Sequence, residues 1–278
     1  MPYISQAHSP YSALKEPSKN QELWRYMDFS KFASLIQTKS LFLSSLIQFS
    51  KTDPWEGFPS PLNLKENTVI TEPEFIDPEV PPSDDDYLPP RVIYKQSTLL
   101  QKHGENVWNA IKIRQEQYTA LRRQFFVNCW HINNSDSDAQ WKIYANSTSS
   151  LAIVTSYNKL SESIIDKNDI YGSQIFYYDP LVHQTPDGNV FWPVIFKRNA
   201  FKHEQEFRLI YWDHQINHES TIPPGIPIKI DLQTMLEKII VSPIADNWFL
   251  DVLKNLLIQY NLPSIPIIKS DLLNPFPL

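Results

Sequence analysis

The stretch His203-Glu204-Gln205-Glu206-Phe207-Arg208-Leu209-Ile210-Tyr211-Trp212 decides how the chain is read. Phe207 to Trp212 is dense in aromatic and branched residues, which suit a pleated, half-buried strand. Residues two apart on a strand share a face. A strand beginning near His203 therefore sets Glu204, Glu206 and Arg208 on one side and Gln205, Phe207 and Leu209 on the other. One side suits a core, and the other suits either water or a polar cleft.

Strand signals recur outward from this segment. Phe125–Trp130 reads as a buried strand, and Ile175–Tyr178 and Val190–Phe196 as two more, joined by a Pro-Asp-Gly turn at 186–188. Ile226–Ile230, Ile239–Val241 and Ile265–Ile268 follow, with a helix over roughly Asp246–Gln259 before the last. Towards the N-terminus, Leu23–Met27 reads as a strand. Asp28 or Ser30 caps a helix carrying Phe32, Leu35 and Ile36, and Ser40–Ser44 is the next strand. A helix is expected over Glu105–Gln124. A shorter one, capped from Ser135–Asp138, carries Trp141 and Tyr144 and leads to a strand at Leu151–Thr155. The pattern predicts an α+β fold, a mixed and mainly antiparallel sheet with flanking helices that opens strand–helix–strand. Residues 1–20 read as a flexible N-terminal arm and 21–278 as a single domain.

A Pro-rich acidic excursion interrupts that domain at about 54–90. Nine prolines lie between Pro54 and Pro90, and eight acidic residues with no basic one lie between Glu66 and Asp86. Such a stretch is expected to be neither regular helix nor central strand. It reads as a solvated excursion, or as a charged lid or partner-binding loop.

Composition removes several function classes. The net charge of -6 argues against broad binding to nucleic acid or an anionic membrane surface. The 5 glycines are isolated, so no GxGxxG or Walker-type phosphate loop can form. A single cysteine, Cys129, excludes an intramolecular disulfide and a cysteine-rich zinc site, and fits a reducing compartment. No signal peptide or membrane-spanning run is visible, so a cytoplasmic location is expected. The histidines are scattered and no metal is predicted.

The candidate site collects residues whose plain readings are structural. Glu204, Glu206 and Arg208 form either a solvated sheet face or a cleft in which one carboxylate is a base or ribose ligand and Arg208 holds the other. Arg25, between Trp24 and Tyr26, either meets solvent or points into a polar site. Trp141 and Tyr144 share a helix face, as core or as an aromatic shelf. Asp53 and Glu56 flank a Pro-Trp turn.

In order along residues 23–270, these segments resemble the bacterial domain of unknown function 2971 (DUF2971) family. The matching pieces are Leu23-Trp24-Arg25-Tyr26, Ser40–Ser44 followed by Asp53-Pro54-Trp55-Glu56, Cys129-Trp130-His131, Trp141–Tyr144, Leu151-Ala152-Ile153, Glu204–Arg208 and Ile239–Pro243. Ser stands where that family usually has Gly before the Leu151 strand and after Val241. The layout also looks like ADP-ribosyltransferases of the Arg-Ser-Glu type. That resemblance implies NAD as substrate, with Arg25 on its pyrophosphate, Glu206 at the ribosyl cation and Glu204 at the acceptor. It further implies Tyr26, Ser44, Trp141, Tyr144 and Arg208 around the ligand, with Asp53 and Glu56 as additional candidates. No clear Ser-Thr-Ser strand is present unless Ser44/Ser45 or Trp141/Tyr144 replaces it. The expected partners are a nucleotide-type small molecule and a protein or nucleic-acid acceptor, as in a toxin or anti-phage defence effector. Two alternatives stay open: a metal-dependent nuclease built on Glu56, Glu204 and Glu206, and a non-catalytic module that binds a protein through the Pro-rich loop.

Overall fold

A computed structural model describes residues 3–4, 13–66, 74–75, 92–93, 104–186 and 188–274. The first half holds β1 (Tyr3–Ile4), β2 (Glu22–Asp28), α1 (Phe29–Thr38), β3 (Ser40–Ser45), α2 (Pro61–Glu66), β4 (Glu74–Phe75), β5 (Val92–Ile93), α3 (Gly104–Arg123), β6 (Phe125–Ile132) and α4 (Asp138–Tyr144). β7 (Ser150–Ser156), α5 (Tyr157–Ser163), β8 (Ile170–Gln174), β9 (Phe176–Tyr178), α6 (Trp192–Ile195), β10 (Phe196–Arg198) and β11 (Glu206–Trp212) follow. The chain continues through β12 (Gly225–Lys229), α7 (Leu232–Met235), β13 (Lys238–Val241), α8 (Asn247–Gln259) and β14 (Ile267–Lys269).

Ten strands form one sheet in the order β1-β8-β11-β6-β2-β7-β13-β14, with β3 also on β6 and β12 on β3. Only β1/β8 and β13/β14 pair in parallel within it, so the α+β fold with a mainly antiparallel mixed sheet is as expected. The strand–helix–strand opening is present too. Asp28 is the cap of α1, accepting from the Lys31 N–H at 2.8 Å.

The sheet forks at β6. Its C-terminal end pairs with β2 through Leu23–Ile132 and Trp24–His131, while its N-terminal end pairs with β3 through Ser44–Val127 and Ser45–Phe126. Between them, residues 128–130 have no strand partner on that side among the described residues. Side chains fill the gap: Arg25 Nη1 donates to the Cys129 carbonyl at 2.6 Å and Asn128 Nδ2 to the Phe42 carbonyl at 2.9 Å. A strand carbonyl left without a partner would be costly, so Arg25 has a structural duty.

Strand alternation then sorts the core. Leu23, Met27, Trp130, Ile153, Phe207 and Leu209 meet α1 and α8 through Phe32, Ile36, Phe249 and Leu253 on one side. Val127 and Ile210 meet Phe191, Val194 and Ile195 on the other. Glu206, Arg208 and Cys129 lie on this second side, and the register sets Arg208 opposite Cys129.

Several expectations change. The strand expected at Val190–Phe196 is the short helix α6 with Pro193 in its first turn, and only Phe196 enters β10. β11 begins at Glu206, not near His203. Asn199–Glu204 is a 3-10 helix, closed by Gln205 in the left-handed region at φ 39°. Pro61 opens α2 inside the stretch expected to lack helix, because proline is tolerated in a first turn. Within the excursion, residues 54–66 and β4 are described, and the rest falls outside the described residues. So does Asp187 of the expected turn. Residues 13–20 are not a free arm, since Ala13 and Leu14 are buried against Phe125 and Ile175, and Tyr3–Ile4 pair with β8.

Gly172 on β8 leaves room for Tyr3. A Cβ there would sit 2.1 Å from Tyr3 Oη and 2.8 Å from Phe207 Cζ. Tyr3 Oη also shares a hydrogen bond with Tyr157 Oη at 3.1 Å. Gly172→Ala is expected to displace β1 and to cost about 1–3 kcal/mol in urea unfolding. Unchanged stability would mean that Tyr3 is not seated there.

Candidate functional site

Five charged side chains interlock on the second face of the sheet. Arg208, with no exposed surface, donates from Nε to Glu206 Oε1 at 2.6 Å and from Nη2 to Glu206 Oε2 at 3.0 Å. Its Nη1 reaches Glu56 Oε1 at 2.7 Å and the Val194 carbonyl at 2.6 Å. Lys197, brought in by β10, sets Nζ 3.1 Å from Glu206 Oε2 and 3.6 Å from Glu56 Oε2, and donates to Glu204 Oε2. Three carboxylates thus converge on one ammonium. This is also the place where the nuclease alternative would need a divalent ion, and Lys197 supplies a cation there already. Among the described residues, no group of three His, Cys, Asp or Glu is arranged to hold a metal.

The two glutamates are driven apart. Burial alone would raise the Glu206 carboxyl, but Arg208 and Lys197 outweigh it and hold it well below the ordinary carboxylate range. The Cys129 thiol lies on the same side of the sheet as this carboxylate, and burial pushes its pKa up. Glu204 lies nearer the surface, at the end of the 3-10 helix, with 14% of its side chain exposed. Its pKa is raised, first by burial and then by Glu206, with Lys197 opposing. Tyr144 Oη donates to Glu204 Oε1 at 3.1 Å, and Tyr144 is 46% exposed. His131 donates from Nδ1 to the Glu204 backbone carbonyl at 2.6 Å, which fixes this turn above β6.

Not every expected residue joins the cluster. Arg25 is partly exposed and bonded to the Cys129 carbonyl. Burial lowers its pKa, and the Cys129 thiol and the Glu206 charge offset part of that, so Arg25 and Glu206 do stand within electrostatic reach. Asp53, 2% exposed, accepts from Arg198 Nη2 at 2.6 Å, and Glu56 is as deeply buried. Tyr26 and Trp141 pack edge to face at 4.9 Å inside a small apolar cluster, their polar atoms held by the Ser137 N–H and by Asp136. They are core, not an open aromatic shelf; Tyr144 alone of the aromatic candidates lies at the surface. Arg208 is fully buried and spends its hydrogen bonds on protein groups, so it positions Glu206 and Glu56 instead of meeting a ligand. Ser44 has no hydrogen bond to the charged groups among the described residues, and the Ser45 hydroxyl is buried without a partner.

Sequence reading missed Lys197, Arg198, His131 and Tyr177, whose Oη accepts the Glu206 N–H at 2.9 Å. The one available signal was Lys197-Arg198, two adjacent bases closing an apolar run. No protein-family model, curated protein or solved structure matches the chain.

Breaking a buried pair leaves an uncompensated charge, so Arg208→Met is expected to cost about 3–5 kcal/mol in urea unfolding. Tyr144→Phe, at the rim, is expected to cost under about 1 kcal/mol. Equal costs would contradict the burial gradient. Glu206 binds fewer protons folded than unfolded near its titration. Its stabilisation is therefore complete above about pH 4.3 and is lost as pH falls towards its lower folded value. A melting temperature that held steady from pH 6 down to about pH 3 would contradict that.

Proposed function

We propose that this chain is an ADP-ribosyltransferase-like enzyme that uses NAD as substrate. The supporting observation is the pair Glu204 and Glu206, two carboxylates joined through Lys197 whose pKa values are pushed in opposite directions. Such divergence separates an acid–base group from a permanently charged one. In the reaction, the bond between nicotinamide and ribose C1′ breaks and its electron pair leaves with nicotinamide. Positive charge builds on the ribose, and a preorganised anion lowers the cost of that charge. Glu206 supplies its charge from beneath the rim. Glu204, the more accessible of the two, takes the proton of the incoming acceptor. Tyr144 orients Glu204 and offers an exposed ring to a ligand base. The likeness of the layout to ADP-ribosyltransferases of the Arg-Ser-Glu type implies the same roles for Glu206 and Glu204.

The test is nicotinamide release from NAD by the purified protein, with and without cell extract as a source of acceptor. Glu204→Gln keeps the buried Arg208–Glu206–Glu56 pairs and is expected to fold and to lose about 10²–10⁴ in kcat. Because the Glu204 pKa is raised, the acid limb of the kcat profile should lie above the pH of an ordinary glutamate. Turnover by Glu204→Gln equal to the unmodified protein would sink the proposal.

A further inference from the structure

We infer that Lys197 is a positioning residue with two seats, its ammonium moving from Glu204 to Glu56 when Glu204 takes up a proton. An ammonium carries three donors. Those of Lys197 serve Glu204 Oε2 and, at 3.1 Å, Glu206 Oε2. Glu56 Oε2 lies 3.6 Å from the same nitrogen, beyond hydrogen-bond length, and is buried without a donor. A buried carboxylate oxygen left in that state is costly. A shift of about 0.5 Å by the ammonium supplies the missing donor.

The three carboxylates are not held alike. Arg208 grips Glu206 through Nε and Nη2 and Glu56 through Nη1, so one fully buried guanidinium anchors both. Glu204 is held by Lys197 and by Tyr144 Oη instead, at the end of the 3-10 helix. It is the member whose charge can change. Of the five interlocked side chains three are negative and two positive, and a proton on Glu204 balances them. The attraction that draws Lys197 towards the rim then weakens, while Glu56 keeps its full charge. A lysine suits this task, because its charge is compact and its stem flexible, whereas a guanidinium fork is rigid. The base of the stem is fixed where β10 pairs with Tyr177 of β9, and the Phe201 ring lies 5.0 Å from Nζ. Burial pushes the other titratable groups around Glu204 towards their neutral forms: Tyr144 of α4, Tyr177 of β9, and Cys129 and His131 of β6. Arg25 of β2 is bonded to the Cys129 carbonyl. The catalytic use of the movement, with the proton coming from the acceptor, rests on the proposed NAD chemistry; the movement itself does not.

The experiment is a crystal structure of Glu204→Gln, whose neutral amide stands for the protonated carboxyl, beside one of the unmodified protein. Lys197 Nζ is expected within about 3.2 Å of Glu56 Oε2 in the variant and near 3.6 Å in the unmodified protein. An ammonium that stays at side chain 204 in the variant, with Glu56 Oε2 still lacking a donor, would overturn the inference. Glu56→Gln gives a second reading, since it keeps an oxygen for Arg208 and removes the second seat. The midpoint of the Glu204 titration, followed by carbon NMR of the carboxyl groups, is expected to fall by about one pH unit. Protonated Glu204 would then leave Lys197 with nowhere to go. An unmoved midpoint would count equally against the two seats. If nicotinamide is not released and Lys197 still moves in Glu204→Gln, the NAD reading falls and the inference stands. Release with an unmoved ammonium has the opposite meaning.

Discussion

Arg208 carries its charge where no water reaches, and it does so between segments far apart in the chain. Glu56 comes from the turn before α2, Val194 from α6 and Glu206 from the same strand. A buried guanidinium tolerates few arrangements, because a missing acceptor exposes the full cost of desolvation. The pairs themselves add little net stability over a well-packed apolar replacement. Their effect is selective, since the 52–58 loop can close on the sheet only where Arg208 waits for Glu56. Through Glu206 and Lys197 the same constraint reaches the surface at Glu204.

The fork in the sheet works by a related logic. One edge of a strand serves one neighbour at each position, so β6 cannot hold β2 and β3 at the same residues. The two partners divide the strand between them, and the polar groups left in the gap are met by Arg25 and Asn128. Arg25 thus stands at the split for reasons of backbone chemistry, close to the charged cluster. A residue so placed can serve both folding and ligand binding, and its sequence context alone does not separate the two.

Local patterning carried much of the fold. Helices α1, α3 and α8 and strands β6, β7 and β11 were legible because apolar spacing, caps and β-formers agree there. The misreadings share a cause. At 190–198 the apolar run has strand composition, but Pro193 and the packing of Val194 and Ile195 against Phe191 favour one helical turn before β10. At 203–205 the alternation is real, yet the chain reverses at Gln205. Of the site, Glu204, Glu206 and Arg208 were visible as a spaced pattern. Lys197 was not, because its place depends on β10 pairing in parallel with β9, a contact no local signal announces. Trp141 and Tyr144 show the limit of helical spacing: the same face holds one ring in the core and the other in water.

The ends of the strand network have their own consequence. The sheet terminates at β1, two residues long, and at β14, three residues long, each paired in parallel; its side branch ends at β12, where Pro227 removes an N–H and Lys229 adds a charge. Open strand borders recruit other chains by continuing the ladder, and brevity, proline and lysine are the means by which proteins discourage this. A wide sheet is therefore closed off without becoming a barrel. Loss of β1 or β14 would lay bare β8 or β13, each longer than the strand that covers it, and turn a protected border into a template for self-association.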